Sequence, residues 1–162
     1  MALILTESPI RPFFPSHGKH MSATPANGQT DNHASTRKVM IIDDSATIRK
    51  TARIFLDEAG YAAVLADDGF DALAKIVDQA PAVIFCDILM PRLDGYQTCA
   101  LIKRNPRFGS TPVVMLSSRD GLFDRVRGRL AGSDAHLAKP FTRESLLAAL
   151  ARHCSPCPVA AS

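Results

Sequence analysis

The chain has 162 residues, of which 46% are hydrophobic and 22% charged: apolar material for one globular domain of ordinary size, too little for a multidomain enzyme. Its formal charge of +3 (19 Lys and Arg against 16 Asp and Glu) comes without a basic block that would mark direct nucleic-acid binding. Its apolar runs fall short of the roughly 18–20 residues of a membrane span. Cys86, Cys99, Cys154 and Cys157 are too few and too uneven for a disulfide framework, and the apolar stretch 2–5 lacks the basic flank of an export signal. The expected compartment is therefore the reducing cytoplasm.

Residues 1–36, with Pro9, Pro12, Pro15 and Pro25 among many polar residues, keep neither a period of 2 nor one of 3.6 and read as a disordered tail. Met21 within that tail offers an alternative start. The folded domain is expected over 37–154, and residues 155–162, with Pro156 and Pro158, read as a second loose tail.

Val39 to Ile42 is apolar on both faces, as a buried parallel strand must be. Ile48, Ala52, Phe55, Leu56 and Ala59 then mark an amphipathic helix capped by Ser45 and stopped by Gly60. Residues 61–66 form the second strand. Asp68 caps a helix that buries Leu73, Ile76 and Val77, and Val83 to Cys86 make a third strand ended by Asp87. A loop with Pro91 and Gly95 leads to a helix carrying Tyr96, Leu101 and Ile102, and Pro112 opens a strand over 113–116. A weaker helix follows, about 120–130, with Gly121 and Gly128 each lowering its stability by roughly 1 kcal/mol relative to Ala. Residues 135–138 form the last strand, and Thr142 caps a helix burying Leu146, Leu147 and Leu150. Five such alternations give a (βα)5 domain, a doubly wound parallel sheet with helices on both faces.

Ligands bind at the carboxyl ends of the strands in such sheets. Those ends carry Asp43 and Asp44, then Asp87, Ser117 and Lys139. Three converging carboxylates repel one another unless a cation sits among them, and a few carboxylates with phosphoryl oxygens are how Mg²⁺ sites for phosphate chemistry are built. A phosphoryl group on Asp87 would find its oxygens shared between metal, the Lys139 ammonium and the Ser117 hydroxyl, and a carboxylate can itself be the nucleophile. An aspartate after a strand is also a common helix cap, so each alone reads as structural and the set carries the chemistry. Pro140 is a candidate for a cis bond that aims Lys139 inward.

The stretches Ile41-Ile42-Asp43-Asp44-Ser45, 86–95 from Cys86 to Gly95, Leu116-Ser117-Ser118 and Ala138-Lys139-Pro140-Phe141 resemble the motifs of response-regulator receiver domains, a likeness that runs over 37–153. The resemblance implies a flavodoxin-like sheet of order 2-1-3-4-5 and phosphorylation of Asp87 by a histidine kinase. It also implies Mg²⁺ held by Asp43, Asp44, Asp87 and the backbone carbonyl of Leu89. Residues 44–49, 68–75, 91–103 and 117–124 are similar to the single-domain, chemotaxis-type regulators of type IV pilus twitching motility, which implies a pilus-regulating or motor protein as target.

In that family the output is a shift of the face formed by the fourth helix, fifth strand and fifth helix. Where it usually has Tyr or Phe, three residues before the lysine, this chain has His136, either a half-exposed ring on an edge strand or an imidazole titrating near pH 6.5 that makes the switch pH-sensitive. Leu89 and Arg119, two residues after Asp87 and Ser117, flank the path of attacking water and are expected to tune the phosphate lifetime. Only 23 residues follow Lys139, which leaves no room for a DNA-binding output domain. Arg125, Arg127 and Arg129 read as a solvated face or a protein contact. Cys154 and Cys157 share the spacing of a redox pair, but past a helix C-terminus, where the dipole opposes a thiolate; His153 beside them makes an incomplete metal set. Two rivals to the switch are a phosphate shuttle to a histidine phosphotransfer domain and an aspartyl-nucleophile phosphatase. The latter resembles Asp-x-Asp, and Leu89 stands where its general acid would be.

Overall fold

The computed structural model describes residues 36–118 and 122–154. The tail read over 1–36, apart from Thr36, lies outside the described residues, as do Met21, Arg119, Asp120, Gly121, Cys157 and the tail 155–162. The elements are β1 (Lys38–Ile42), α1 (Ala46–Glu58), β2 (Ala62–Ala66), α2 (Gly69–Gln79), β3 (Val83–Asp87), α3 (Gly95–Arg104), β4 (Val113–Ser117), α4 (Leu122–Ala131), β5 (Ala135–Ala138) and α5 (Arg143–Ala151). All strand pairs are parallel, and the sheet order is β2-β1-β3-β4-β5, the flavodoxin-like arrangement expected.

Alternation along the strands builds two cores. Met40, Ile42, Ile84, Cys86, Val113 and Met115 face Ala72 and Ile76 of α2 and Tyr96, Cys99 and Ile102 of α3. Val39, Ile41, Val83, Phe85, Val114 and Leu116 face Ala52 and Leu56 of α1 and Leu146 and Leu150 of α5. Each fully buried Ile, Leu or Phe contributes about 1.5–3 kcal/mol relative to exposure. Cys154 also closes the second core, with an Arg37 guanidinium N–H donated to its Sγ at 3.2 Å, so its backbone belongs to the domain.

The caps fall where the side chains dictate. Ser45, Asp68 and Thr142 accept from the backbone N–H three residues on, and Asp94 forms a capping box with Gln97. Gly60 has φ +80°, and the chain enters β2 one residue later than the sequence suggests because Tyr61 still bonds back to Leu56. Val77, expected to be buried, is 40% exposed, and Leu101 is 45% exposed. Val77 follows the buried Ile76 and Leu101 precedes the buried Ile102, each by a step of about 100° around its helix, which carries it off the buried face.

Gly128 is where the structure changes the reading of α4. A Cβ there would press on the imidazole of His136 and come within 2.9 Å of Ser133 Oγ. The glycine makes room for the ring rather than merely weakening the helix.

Candidate functional site

Asp43 and Asp44 follow β1, Asp87 closes β3, Ser117 closes β4 and Lys139 follows β5, so the sheet order brings all five to one rim. Carboxylate oxygens of Asp43, Asp44 and Asp87 lie within 4.8 Å of one another, a group able to hold a metal ion. Asp43 is fully buried, Asp87 is 5% exposed and Asp44 faces solvent. The Lys139 ammonium bridges two of them, 2.8 Å from Asp43 Oδ2 and 3.0 Å from Asp87 Oδ1. The Lys139–Pro140 peptide is cis, as the sequence suggests. Ser117 is buried at the end of β4, and its carbonyl accepts the Lys139 backbone N–H at 2.7 Å, which ties the two strand ends together.

The loops around the rim are fixed by short bonds. Asp43 Oδ1 accepts the Ser45 N–H at 2.9 Å, and its carbonyl accepts an Arg49 guanidinium N–H at 2.6 Å. Gly95 donates to the carbonyl of Ile88 at 3.0 Å, and a side chain at 95 would drive into the backbone of Asp87 and Ile88. Arg92, at φ +68°, pairs with the buried Asp68. Leu89, just beyond Asp87, is 65% exposed.

Charge crowding is legible in the titrations. Burial pushes the Asp87 carboxyl above its ordinary value; the hydrogen bond and charge of Lys139 oppose this, and Asp43 and Asp44 add to it. Burial draws the Lys139 ammonium down, but its bonds to Asp43 and Asp87 outweigh that and leave it raised. An uncompensated carboxylate cluster with one ammonium and a nearby hydroxyl suits a hard cation and an anionic oxygen ligand, with Asp87 placed as the nucleophile.

Three residues beside the rim were not legible as site residues. Arg49 braces Asp43 through a backbone carbonyl. Tyr96, 8% exposed, donates its hydroxyl to Asp124 Oδ1 at 3.0 Å, and Ser117 Oγ donates to Asp124 Oδ2 at 3.4 Å. Asp124 looks like an ordinary acidic residue in a first helical turn, and nothing in its local sequence marks it otherwise.

His136 sits half-buried on the edge strand β5 against Gly128, with its Nε2 and the Ser133 Oγ both lacking a hydrogen-bond partner among the described residues. Burial depresses its titration; a hydrogen bond to the Asp124 backbone works the other way, and Arg125 and Arg129 depress it further. This moves it down from the value near 6.5 that the sequence suggests. Arg125, Val126, Arg129, Ser133 and Arg152 surround a cleft of about 540 Å³ over this ring, while Arg127 lies over the Tyr96 ring at 4.6 Å. The cleft is remote from the carboxylate rim and belongs to the α4, β5 and α5 face. Arg119, expected to flank the water path, lies outside the described residues.

This sheet order and acidic rim define a receiver domain, and the family model described as a response regulator receiver domain matches residues 39–151: the chain belongs to that family. It is 63% identical over 116 residues to Protein PilG of Pseudomonas aeruginosa, covering 72% of this chain and 86% of that protein. It is 38% identical over 122 residues to the response regulator MprA of Mycobacterium sp. strain KMS, 74% of this chain but only 52% of that relative's length. Among solved structures, the chemotaxis protein CheY4 of Vibrio cholerae superposes with a TM-score of 0.72 at 32% identity, over 74% of this chain and all of that one. The protein is thus a two-component signalling protein, whose class works with a histidine kinase and a downstream target. No helix among the described residues is long and apolar enough to cross a membrane.

Proposed function

We propose that this protein is a stand-alone cytoplasmic response regulator, a receiver domain over 37–154 between tails 1–36 and 155–162. It accepts a phosphoryl group on Asp87 from a chemotaxis-type histidine kinase. The observation that carries this reading is the Lys139 ammonium held between Asp43 and Asp87 in a rim of three carboxylates. The carboxylates of Asp43, Asp44 and Asp87 and the carbonyl of Leu89 are the oxygens that hold Mg²⁺ in this reading, a hard donor set that fits the ion. When bound, Mg²⁺ supplies charge neutralisation for phosphoryl oxygens.

In the transfer, an Asp87 carboxylate oxygen forms a bond to the phosphorus of a phosphohistidine as the phosphorus–nitrogen bond breaks, and the imidazole leaves with that electron pair. Lys139 and Ser117 donate hydrogen bonds to the phosphoryl oxygens, and Leu89 and Arg119 set how readily water removes the group. The protein catalyses only its own phosphorylation and dephosphorylation: an exposed leucine at 89 offers no general acid for a phosphatase. The new charge at Asp87 biases Ser117 and His136, and with them the α4, β5 and α5 face, where Arg125 and Arg129 meet a protein partner rather than nucleic acid. The likeness to PilG and the stretches 44–49, 68–75, 91–103 and 117–124 support a role in type IV pilus twitching motility, with a pilus-regulating or motor protein as target.

Phosphotransfer from a chemotaxis-type kinase, followed by binding measurements, separates switch from shuttle. The phosphorylated protein is expected to bind a pilus-regulating protein at least tenfold more tightly than the Asp87→Asn variant does. Tighter binding only to a histidine phosphotransfer domain, with return of the phosphoryl group to it, would establish the shuttle instead.

A further inference from the structure

Asp124 collects hydroxyl groups from two elements. Its Oδ2 accepts from Ser117 Oγ of β4 at 3.4 Å, and its Oδ1 accepts from the Tyr96 hydroxyl of α3 at 3.0 Å. It also lines, with Ile88, Leu89, Ser117 and Ser118, a cleft of about 200 Å³ beside the end of β3, next to Asp87. A carboxylate beside the residue proposed to carry a phosphoryl group calls for a reason beyond the helix-dipole role of a first-turn aspartate.

We infer that Asp124 is a positioning residue for Ser117, whose hydroxyl its carboxylate engages in the unphosphorylated protein in competition with the phosphoryl group on Asp87. This rests on the phosphorylation of Asp87 proposed above. A serine hydroxyl has a single proton to donate, so a bond to Asp124 and a bond to a phosphoryl oxygen exclude each other. At 3.4 Å the bond to Asp124 is well beyond the 2.7–2.8 Å favoured for O–H···O, and a charge-assisted bond to a phosphoryl oxygen is shorter and stronger. The exchange therefore runs toward the phosphoryl group, and the carboxylate it frees remains tied to Tyr96, whose ring lies under Arg127. Asp124 in this way penalises the phosphorylated state by the strength of one weak bond and passes its rupture to α3 and α4 together.

The test is a double-mutant cycle on the full chain, with Mg²⁺ and beryllofluoride as the phosphoryl mimic and its bound form followed by ¹⁹F NMR. Asp124→Ala and the isosteric Asp124→Asn are expected to tighten beryllofluoride binding, the former about tenfold, while Ser117→Ala weakens it. With Ser117 already replaced by Ala, Asp124→Ala is expected to change the affinity twofold or less. A purely structural role for Asp124 would not produce that coupling, and Asp124→Asn covers the case in which the alanine variant does not fold. An equal gain with and without the Ser117 hydroxyl, or no gain in either variant, would overturn the role of Asp124 while leaving the phosphorylation reading intact. A wild-type protein that binds no beryllofluoride with Mg²⁺ would overturn both.

Discussion

Asp87 is a carboxylate held where its charge is unwelcome. Its folded-state titration lies above the ordinary value, with burial the main cause and Asp43 and Asp44 adding to it against Lys139. A group raised in this way contributes stability that is complete below its unfolded pKa and lost as pH rises through its folded pKa, so at pH 7 the ionised side chain is a liability. Asp87→Asn is therefore expected to raise the Tm at pH 7 by a few degrees, an advantage that shrinks on acidification toward pH 4, as thermal melts across that range would show. His136 has the opposite sign. Its titration is depressed by burial and by Arg125 and Arg129, so its contribution is present above the unfolded value and lost as pH falls through the folded one. The stability advantage of the wild type over His136→Gln is expected to decline from pH 7 to pH 5 in denaturant titrations; an advantage that grows on acidification would contradict the environment described for the ring.

Two glycines show how the elements reach the rim. Gly95 opens α3 against the backbone of Asp87 and Ile88, where a Cβ would sit 2.8 Å from Ile88 Cα. Gly95→Ala is expected to lower stability by about 2 kcal/mol or more by overpacking at this backbone contact, read from urea unfolding, and to slow labelling of Asp87. Gly128 sits over the His136 ring in the same manner, which the sequence presents only as an interior glycine in a helix. Four of the strands were legible because each contains an unbroken run of apolar residues, while β5 carries His136, and the helix starts because Ser45, Asp68 and Thr142 are side chains that cap. Val77 was misplaced because an apolar residue one step along a helix from the buried stripe turns toward solvent, and apolar identity alone does not say which of two neighbours packs.

At the scale of the molecule, the order β2-β1-β3-β4-β5 sets β1 beside β3 and β3 beside β4, so residues 44 positions apart in sequence, Asp43 and Asp87, share one ammonium. That convergence was legible in the sequence because every member stands at or just beyond the end of a strand. Asp124 and Tyr96 were not, because they meet across 28 residues through helix packing, and nothing local distinguishes an aspartate that holds a serine hydroxyl from one that favours a helix start. The central claim is that this rim makes Asp87 a phosphoacceptor. It is tested most directly by incubating the intact protein with acetyl phosphate and following its mass. One labile phosphoryl group is expected, formed only with Mg²⁺ present, absent in Asp87→Asn and lost in hydroxylamine as an acyl phosphate is. A protein that gains no phosphoryl group, or that labels equally with Asp87 replaced, would contradict the account.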